Sequence, residues 1–373
     1  MLWSDLLGKW KSEPALSELL LLALISWIIF VLMVCNLHGF FNLVDDFGDN
    51  SSYISIASAI RHWHFPHELT IKQAWGLPYL MALISTVGRV SDRTALLGIC
   101  LTSYFVALVL AYRLWGGWVA GLFMNINFYW MVLAFLGGSE ALFVALLFAT
   151  FISVRRERWP LASLFASLCT VVRPLGFFSL TAIGLVLLWR RQLRHFSIAV
   201  GIGLLIGLLY MSPLAIYYGD PLATVNSYRS APGSGRSLFG LPLVAILKGI
   251  VLYRPPWTNL LVSMGWVFLV LGSMVAMSVT REFREYARAH PTEILFLAPY
   301  LWFIFSYNYA YWALGNFARF AIPAIPFVLI ALNRWVPKDR RIVWALAVSC
   351  PVLAASSALG VRNVYHEIIG LLA

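Results

Sequence analysis

The feature that most constrains this chain is a series of apolar runs, each close to the length needed to cross a bilayer. The first run covers 19–37, and the later ones follow it at short polar breaks. A helix spans the hydrocarbon core in about 20 residues, and backbone amides without partners in lipid are costly. The strands of a membrane barrel would alternate apolar and polar residues, and no such alternation is present. The sequence therefore predicts an all-α, polytopic membrane protein.

Composition excludes an ordinary soluble domain. Hydrophobic residues make up 61% of the chain and charged residues only 12%, whereas soluble domains carry about 25% charged residues. The net charge of +11 would suit a nucleic-acid partner. In a membrane protein, however, basic residues collect in cytoplasmic loops. We therefore expect membrane lipids around the chain and no nucleic-acid partner.

The first apolar run and the four cysteines each add a prediction to the membrane class. The run at 19–37 is too long for the core of a cleavable signal peptide and lacks a small-residue cleavage pattern, so we expect a retained first helix. The cysteines are widely spaced inside apolar runs, which predicts neither a disulfide framework nor a cysteine metal site. They are Cys35, Cys100, Cys169 and Cys350.

The basic breaks determine the predicted topology. Candidate spans lie near 17–36, 74–90, 94–112, 117–136, 140–154, 160–174, 176–189, 196–218, 258–280, 293–313, 318–333 and 342–360. Short basic breaks occur at 113–117, 155–158, 190–195, 281–290 and 334–341. If 74–90 does not cross, all of these breaks share the cytoplasm with Lys9 and Lys11.

Segment 74–90 is short and contains Gly76, Pro78 and Gly88, so we interpret it as a juxtamembrane helix in the interface. That leaves eleven transmembrane helices within a single domain, 1–373, with the carboxyl terminus outside. Segments 160–174 and 176–189 stay separate, because merging them would put basic breaks on opposite sides. Two long extracytoplasmic segments result, at 38–93 and 218–257.

Three carboxylates, Asp45, Asp46 and Asp49, follow the first helix at the outer surface, in a chain with only 16 acidic residues. Negative charge near lipid is costly unless it is paired or used. One interpretation is a catalytic base or a metal site. The other is a solvated loop in which Asp49 or Ser51 caps a helix that starts near Tyr53.

Several motifs resemble those of the GT-C glycosyltransferases. The segment from Asp49 to Ala57 is similar to the D-x-x-x-Y-(hydrophobic)-x-I-A element that follows the first helix in that superfamily. Residues 75–80 resemble its G-x-P-x-L juxtamembrane element, and residues 138–143 resemble its S-E-x-L-F at the fourth span. Residues 172–176 and 219–222 are similar to T-R-P-x-G and G-D-P-L. These two point to the branch that includes the phosphatidylinositol-glycan mannosyltransferases and their bacterial relatives.

The resemblance implies a transferase that moves a sugar, with mannose as the branch-level choice, from a polyprenyl-phosphate-sugar donor. The acceptor is a lipid, a glycan or a protein. The active site is expected on the extracytoplasmic or lumenal side of a bacterial plasma membrane or, alternatively, of the endoplasmic reticulum. Direct displacement needs a base for the acceptor hydroxyl and cations on the departing phosphate.

Asp49 matches the aspartate of the family's motif and is the first choice as base, followed by Asp46 and Asp45 because loop alignment can slip. The candidates for substrate binding are Tyr53, Glu140, Arg173, Arg229, Arg236 and Arg319. For the arginines the alternatives are snorkelling at the interface or an ordinary solvated loop. Glu140 resembles the family's acidic residue at the fourth span, and an ion pair to an outer arginine is equally compatible.

No cofactor is predicted, although His62, His64 and His67 are weak candidates for a divalent metal site with Asp45 or Asp49. On a helix, His62 and His64 do not share a face. Interfacial histidines also commonly face lipid headgroups.

Two other classes of membrane protein compete with the transferase. A transporter or flippase of an anionic lipid or a lipid-linked sugar would use the same basic outer loops, but it predicts charged residues near mid-span, where this chain has almost none. A transferase of acyl or phosphoryl groups is the third class. An acyltransferase would offer a histidine-centred helical motif, and none is convincing here.

Overall fold

A computed structural model of the chain describes residues 12–37, 40–64, 73–229, 239–255, 257–309 and 316–372. Over these residues the regular structure is helical, and the one β-bridge joins Phe239 to Tyr307. The predicted all-α class is therefore confirmed. The chain divides into two compact units, residues 1–148 with 337–373 and residues 149–336, and the division falls within one helix.

The first unit contains the amino-terminal helices and the carboxyl-terminal one. They are α1 (Leu16–Leu37), α2 (Phe40–Asp46), α3 (Asn50–His62), α4 (Gly76–Gly88), α5 (Asp92–Ile126), α6 (Phe128–Phe135), the start of α7 (Ser139–Arg155) and α18 (Arg340–Leu372). Helix α1 packs on α18, where the Ser26 hydroxyl donates to the Ala347 carbonyl at 2.8 Å.

The centre of the first unit is aromatic and buried. The ring of Tyr104 lies 4.9 Å from Phe135 and 5.8 Å from Trp130, and Phe30 of α1 lies 5.4 Å from Phe135. All four side chains are buried. Edge-on and tilted contacts at these distances add to the stabilisation that burial of the rings provides.

The second unit follows the same chain order. Its elements are the end of α7, α8 (Trp159–Val172), a 3-10 turn (Pro174–Gly176), α9 (Phe177–Trp189), α10 (Leu193–Tyr218), α11 (Ala223–Arg229), α12 (Val244–Tyr253), α13 (Trp257–Val279), α14 (Arg281–Ala289), α15 (Pro291–Ser306), α16 (Asn316–Ala321), a second 3-10 turn (Ile322–Ala324) and α17 (Ile325–Ala331).

Helices α8, α9 and α10 form one packed layer of this unit. Small residues, among them Ala162, Ala166 and Ala199, let the helices approach, while Ile183 and Val186 fill the contact. Small residues at helix contacts are typical of membrane proteins. Helix α8 turns back into α9 at Gly176, where a Cβ atom would clash with the backbone of Cys169 and Thr170. The prediction that 160–174 and 176–189 are separate helices is confirmed.

Among the described residues, five helices are long and apolar enough to cross a membrane, by length and composition: α1, α5, α10, α13 and residues 340–359 of α18. Helices α6 and α7 pass the same test together, although they are bent by 105° at the break between them. The chain is thus an integral membrane protein, and its described part is helical with five or six such spans. Leu204, Leu208 and Ile216 of α10 are exposed, which is expected of side chains that face lipid.

The remaining predicted spans correspond to shorter apolar helices. Segment 74–90 forms the 13-residue α4, and its placement in the interface stays a prediction. Segment 117–136 was expected as one span, but it breaks at Asn127, whose side chain accepts a hydrogen bond from the Tyr129 amide at 3.0 Å. Asparagine favours helix starts for this reason. A total of eleven crossings remains a prediction.

Two more predicted spans are shorter in the structure. Segment 293–313 ends as a helix at Ser306. Segment 318–333 is interrupted by the 3-10 turn that contains Pro323, between α16 and α17. Proline has no amide hydrogen to donate, which explains the interruption.

Within each unit, the basic breaks lie close to one another or to the amino-terminal segment. In the first unit, Arg340 donates to the carbonyls of Ser12 and Glu13 at 2.8 and 2.6 Å, and the Gly117 amide donates to the Glu13 carboxylate. Breaks 113–117 and 334–341 thus lie beside the amino-terminal segment. Gly116 interrupts α5 at φ +85°, within the predicted break.

In the second unit, Arg155 pairs with Glu293 at 2.7 Å and Arg190 pairs with Glu157 at 3.2 Å. Breaks 155–158, 190–195 and 281–290 are therefore on the same side of this unit. Both topologies require this arrangement of the second unit, whereas the contact of the amino-terminal segment with breaks 113–117 and 334–341 in the first unit is required only when 74–90 does not cross.

Candidate functional site

The predicted outer carboxylates lie around the start of α3. Gly48 adopts φ +53°, a left-handed conformation that glycine tolerates, and the chain then enters the helix at Asn50. Asp49 occupies the N-cap position, and its carbonyl accepts the Tyr53 amide at 3.0 Å, but its side chain makes no capping hydrogen bond. Gln73 instead donates to Asp49 Oδ1 at 3.1 Å. The capping interpretation therefore holds for the position of Asp49 and not for its carboxylate.

Helix α3 is fastened to the junction between α6 and α7 by buried polar side chains. The Asn50 amide donates to the carbonyls of Val44 and Leu136, both at 2.8 Å. One turn later, the Tyr53 hydroxyl lies 3.2 Å from Ser139 Oγ. The segments that resemble the D-x-x-x-Y and S-E-x-L-F motifs are therefore in contact, although 86 positions separate the bonded residues.

The junction itself requires glycine. Gly137 has φ +118°, and a Cβ atom there would lie 2.9 Å from the Asn50 amide group. At this point the chain turns by 105° from α6 into α7. Glu140 follows in the first turn of α7, where its side chain is only 3% exposed. A carboxylate in a first helical turn is favoured by the helix dipole.

The segment that resembles the G-x-P-x-L motif lies against α3. Helix α4, which carries the Gly76-Leu77-Pro78 segment, packs on α3 and on α5. Trp75, Leu77 and Pro78 are buried in this contact region. Three motifs that are distant in sequence thus surround the start of α3 within the first unit.

Asp45, the other described carboxylate, is engaged by Arg93. The guanidinium donates from Nε to Asp45 Oδ1 at 2.8 Å and from Nη2 to Oδ2. A base must have an oxygen available for the acceptor's proton, and Arg93 engages both oxygens of Asp45, which counts against Asp45 as the base. The side chain of Asp46 lies outside the described residues.

A second ion pair anchors the far end of α3. Arg61 in its last turn lies 3.2 Å from Asp92 at the start of α5, and the Asp92 side chain is only 6% exposed. Helix α3 is therefore held at both ends, by Asn50 and Tyr53 at its start and by Arg61 at its end.

The predicted phosphate-binding arginines belong to the second unit. Arg173 lies at the junction of α8 with the 3-10 turn, and its guanidinium carbon is 4.9 Å from the centre of the Phe320 ring. Phe320 directly follows Arg319, and its carbonyl accepts the buried Tyr300 hydroxyl at 2.7 Å. The structure thus brings Arg173 to the segment that contains Arg319. The side chain of Arg229 and all of Arg236 lie outside the described residues.

The Gly219–Leu222 motif has a structural explanation. Gly219 ends α10 at φ +66°, and Asp220 accepts the Leu222 amide and the Asn226 side-chain amide, both at 2.8 Å. This is an Asx turn that starts α11. The Asp220 carboxylate therefore has a structural role in this turn.

The histidine candidates gain no support as a metal site. His62 Nδ1 lies 2.9 Å from the Ser58 carbonyl of its own helix, and His64 is exposed. His67 lies outside the described residues. Among the residues that the structure describes, no group of three His, Cys, Asp or Glu side chains could hold a metal ion. All four cysteines are free, as predicted.

Sequence reasoning missed Asn50, Gln73 and Arg93 as members of this site. Their partners lie 6 to 86 positions away, and spacing does not reveal such contacts. One available signal was Arg93 itself, a basic residue at the start of a span and on the side where carboxylates collect.

No family model matches the chain, and neither a curated protein nor a solved structure matches it.

Proposed function

We propose that the chain is a membrane glycosyltransferase of the GT-C kind. It transfers a sugar, for which the resemblance points to mannose, from a polyprenyl-phosphate donor to a lipid, glycan or protein acceptor. In this proposal the chain has eleven spans and works on the extracytoplasmic face of a bacterial plasma membrane or the lumenal face of the endoplasmic reticulum.

One observation carries the proposal. The helix that begins after Asp49 is fastened by Asn50 and Tyr53 to the Ser139–Glu140 junction. The resemblance to the GT-C motifs rests on sequence alone, and it did not require these segments to touch. Their convergence at one carboxylate is what a catalytic site built from them needs.

Direct displacement at the anomeric carbon of the donor sugar gives each candidate residue a role. The acceptor hydroxyl attacks the anomeric carbon, and its proton passes to the Asp49 carboxylate as base. The bond between the anomeric carbon and the phosphate oxygen breaks, and polyprenyl phosphate leaves with the electron pair. The departing phosphate needs cations, and Arg173, Arg229, Arg236 and Arg319 stay the candidates that the sequence predicts for it. Gln73 holds Asp49 in position through Oδ1.

The test is transfer of radiolabelled sugar by the purified protein, with a panel of polyprenyl-phosphate sugars and a native lipid extract as acceptor. We expect Asp49→Asn to lower the rate by about 10²- to 10⁴-fold, as for loss of a general base. Asp45→Asn should still form the labelled product, because Arg93 already occupies that carboxylate. Asp46→Asn is assayed in the same way, because Asp46 is the remaining candidate base.

The outcomes separate the competing classes. Full activity in all three carboxylate variants would reject the assignment of the base. A protein that binds the donor lipids and moves them across a bilayer, with no new product from any donor, would instead favour the transporter.

A further inference from the structure

The ion pair of Asp45 and Arg93 is bidentate and yet half-exposed. Each of its side chains is 38% exposed, whereas the acid is 6% exposed in the Arg61–Asp92 pair and 3% in the Arg155–Glu293 pair. An ion pair in contact with water contributes little to stability, while a buried pair is costly to open. The Asp45–Arg93 pair can therefore exchange partners without unfolding its surroundings.

Arg93 also lies beside an exposed aromatic surface. Its guanidinium carbon is 5.8 Å from the centre of the Phe41 ring, and Phe41 is 53% exposed. Phe40 lies next to it, with ring centres 5.7 Å apart. Both rings begin α2, three residues after the first membrane span ends. A cation and exposed rings side by side fit a ligand that has an anionic head and a hydrocarbon chain.

The guanidinium geometry suits phosphate as well as carboxylate. Arginine presents parallel N–H donors that bind two oxygens of either anion. In the part of the chain that the structure describes, Arg93 uses Nε and Nη2 on Asp45, and Nη1 has no hydrogen-bond partner. A phosphate oxygen can engage Nη1 first and then displace the Asp45 carboxylate.

We propose that Arg93 binds the phosphate of a polyprenyl phosphate, with Asp45 as the internal anion that this phosphate displaces and Phe41 against the first hydrocarbon units. The proposal rests on the proposed function for the identity of the lipid. It adds a phosphate-binding residue within the same unit as Asp49. Asp45 is accordingly a competitor of the substrate and not a base.

The experiment measures binding of a long-chain polyprenyl monophosphate to the full-length protein in nanodiscs. Arg93→Gln should weaken binding by roughly tenfold or more, the effect expected for loss of a charge-assisted hydrogen bond. Asp45→Asn should tighten binding severalfold, because the competing carboxylate is gone. Arg93→Lys, which keeps the charge and loses the fork, should lie between Arg93→Gln and the wild type.

Arg89→Gln is the matched control, since Arg89 is an exposed arginine in the same outer segment. It should bind the lipid as the wild type does. Inorganic phosphate and the uncharged polyprenyl alcohol are comparison probes, and each should bind more weakly than the lipid phosphate. Inorganic phosphate that binds as tightly as the lipid phosphate would overturn the lipid assignment. Thermal unfolding of each variant verifies that the fold is kept.

The proposal is overturned if Arg93→Gln binds as the wild type does, or if Asp45→Asn binds more weakly. Failure of the proposed function has a different signature. Binding that depends on Arg93 without transfer from any donor would leave this inference standing and reject the transferase. Transfer that needs Asp49, with lipid binding unaffected by Arg93→Gln, would support the transferase and overturn the role of Arg93.

Discussion

Asn50 connects three pieces of backbone at the candidate site. Its buried amide donates to Val44, in the helix before the turn, and to Leu136, at the end of α6. Gly137 leaves room for it, because any Cβ atom there would meet the Asn50 side chain at 2.9 Å. Asn50 therefore helps to fix the position of Asp49, the preceding residue, together with the hydrogen bond from Gln73.

Replacing Asn50 tests that dependence directly. Asn50→Ala leaves two buried carbonyls without their donor, and we expect a loss of about 1–3 kcal/mol in the free energy of unfolding. Denaturant unfolding in detergent measures it. Asn36→Ala is the control, since the exposed Asn36 amide donates to Leu32 at 2.7 Å within its own helix. That change should cost no more than about 0.5 kcal/mol. Equal losses in the two variants would contradict the account of Asn50.

His290 makes stability depend on pH. Burial lowers the pKa of His290 below its ordinary 6.5, Glu293 opposes the lowering and Arg155 adds to it. The folded state thus disfavours the protonated ring, so the unfolded chain binds the proton first and stability is lost as pH falls below about 6.5. Between about pH 7.5 and 5.5 the unfolding midpoint should fall more in the wild type than in His290→Gln. Parallel pH profiles would contradict this.

At the scale of elements, an ionic cluster joins the end of α7 to α14 and α15. Arg155 donates to both Glu293 oxygens at 2.7 and 3.0 Å and to the Tyr286 hydroxyl at 3.0 Å. Tyr286 in turn donates to Glu293. The Glu293 side chain is 3% exposed, so its charge depends on these partners. The cluster holds two of the basic breaks together.

Removing Arg155 should therefore destabilise the second unit strongly. Arg155→Ala leaves Glu293 buried and uncompensated, which costs about 3–5 kcal/mol. Arg281→Ala serves as the control, because its pair with Glu285 is exposed to water and contributes little to stability. Unfolding of both variants in detergent gives the comparison. If Arg155→Met with Glu293→Leu is as unstable as Arg155→Ala, loss of the charge pair is not the cause.

At the scale of the whole molecule, the topology can be mapped with single cysteines. In a background without the native cysteines, reporters at Arg191, Glu285 and Lys338 should react with an impermeant thiol reagent from the cytoplasmic side only. Ser91 should react from the opposite side. All four positions are exposed. A crossing α4 predicts the inverse pattern, with Ser91 labelled from the cytoplasmic side and the other three reporters from outside, and that result would contradict the topology with a non-crossing α4.

Much of the fold could be predicted from apolar runs and basic breaks, because both follow from the cost of unpaired amides and charges in lipid. The break at Asn127 could not, since it depends on one side chain that caps a helix inside an apolar run. At the site, Asp49 and Tyr53 were accessible through local motifs. The pairing of Asp45 with Arg93 and of Asn50 with Leu136 was not, because it arises only when distant helices pack.

Sugar transfer by the wild type, Asp49→Asn and Asp45→Asn, assayed side by side with polyprenyl-phosphate sugars, most directly tests whether the chain is a transferase with Asp49 as its base. We expect a labelled product with the wild type and Asp45→Asn, and a rate at least about 100-fold lower with Asp49→Asn. Undiminished transfer by Asp49→Asn, or no product from any donor with protein that binds the lipid, would contradict it.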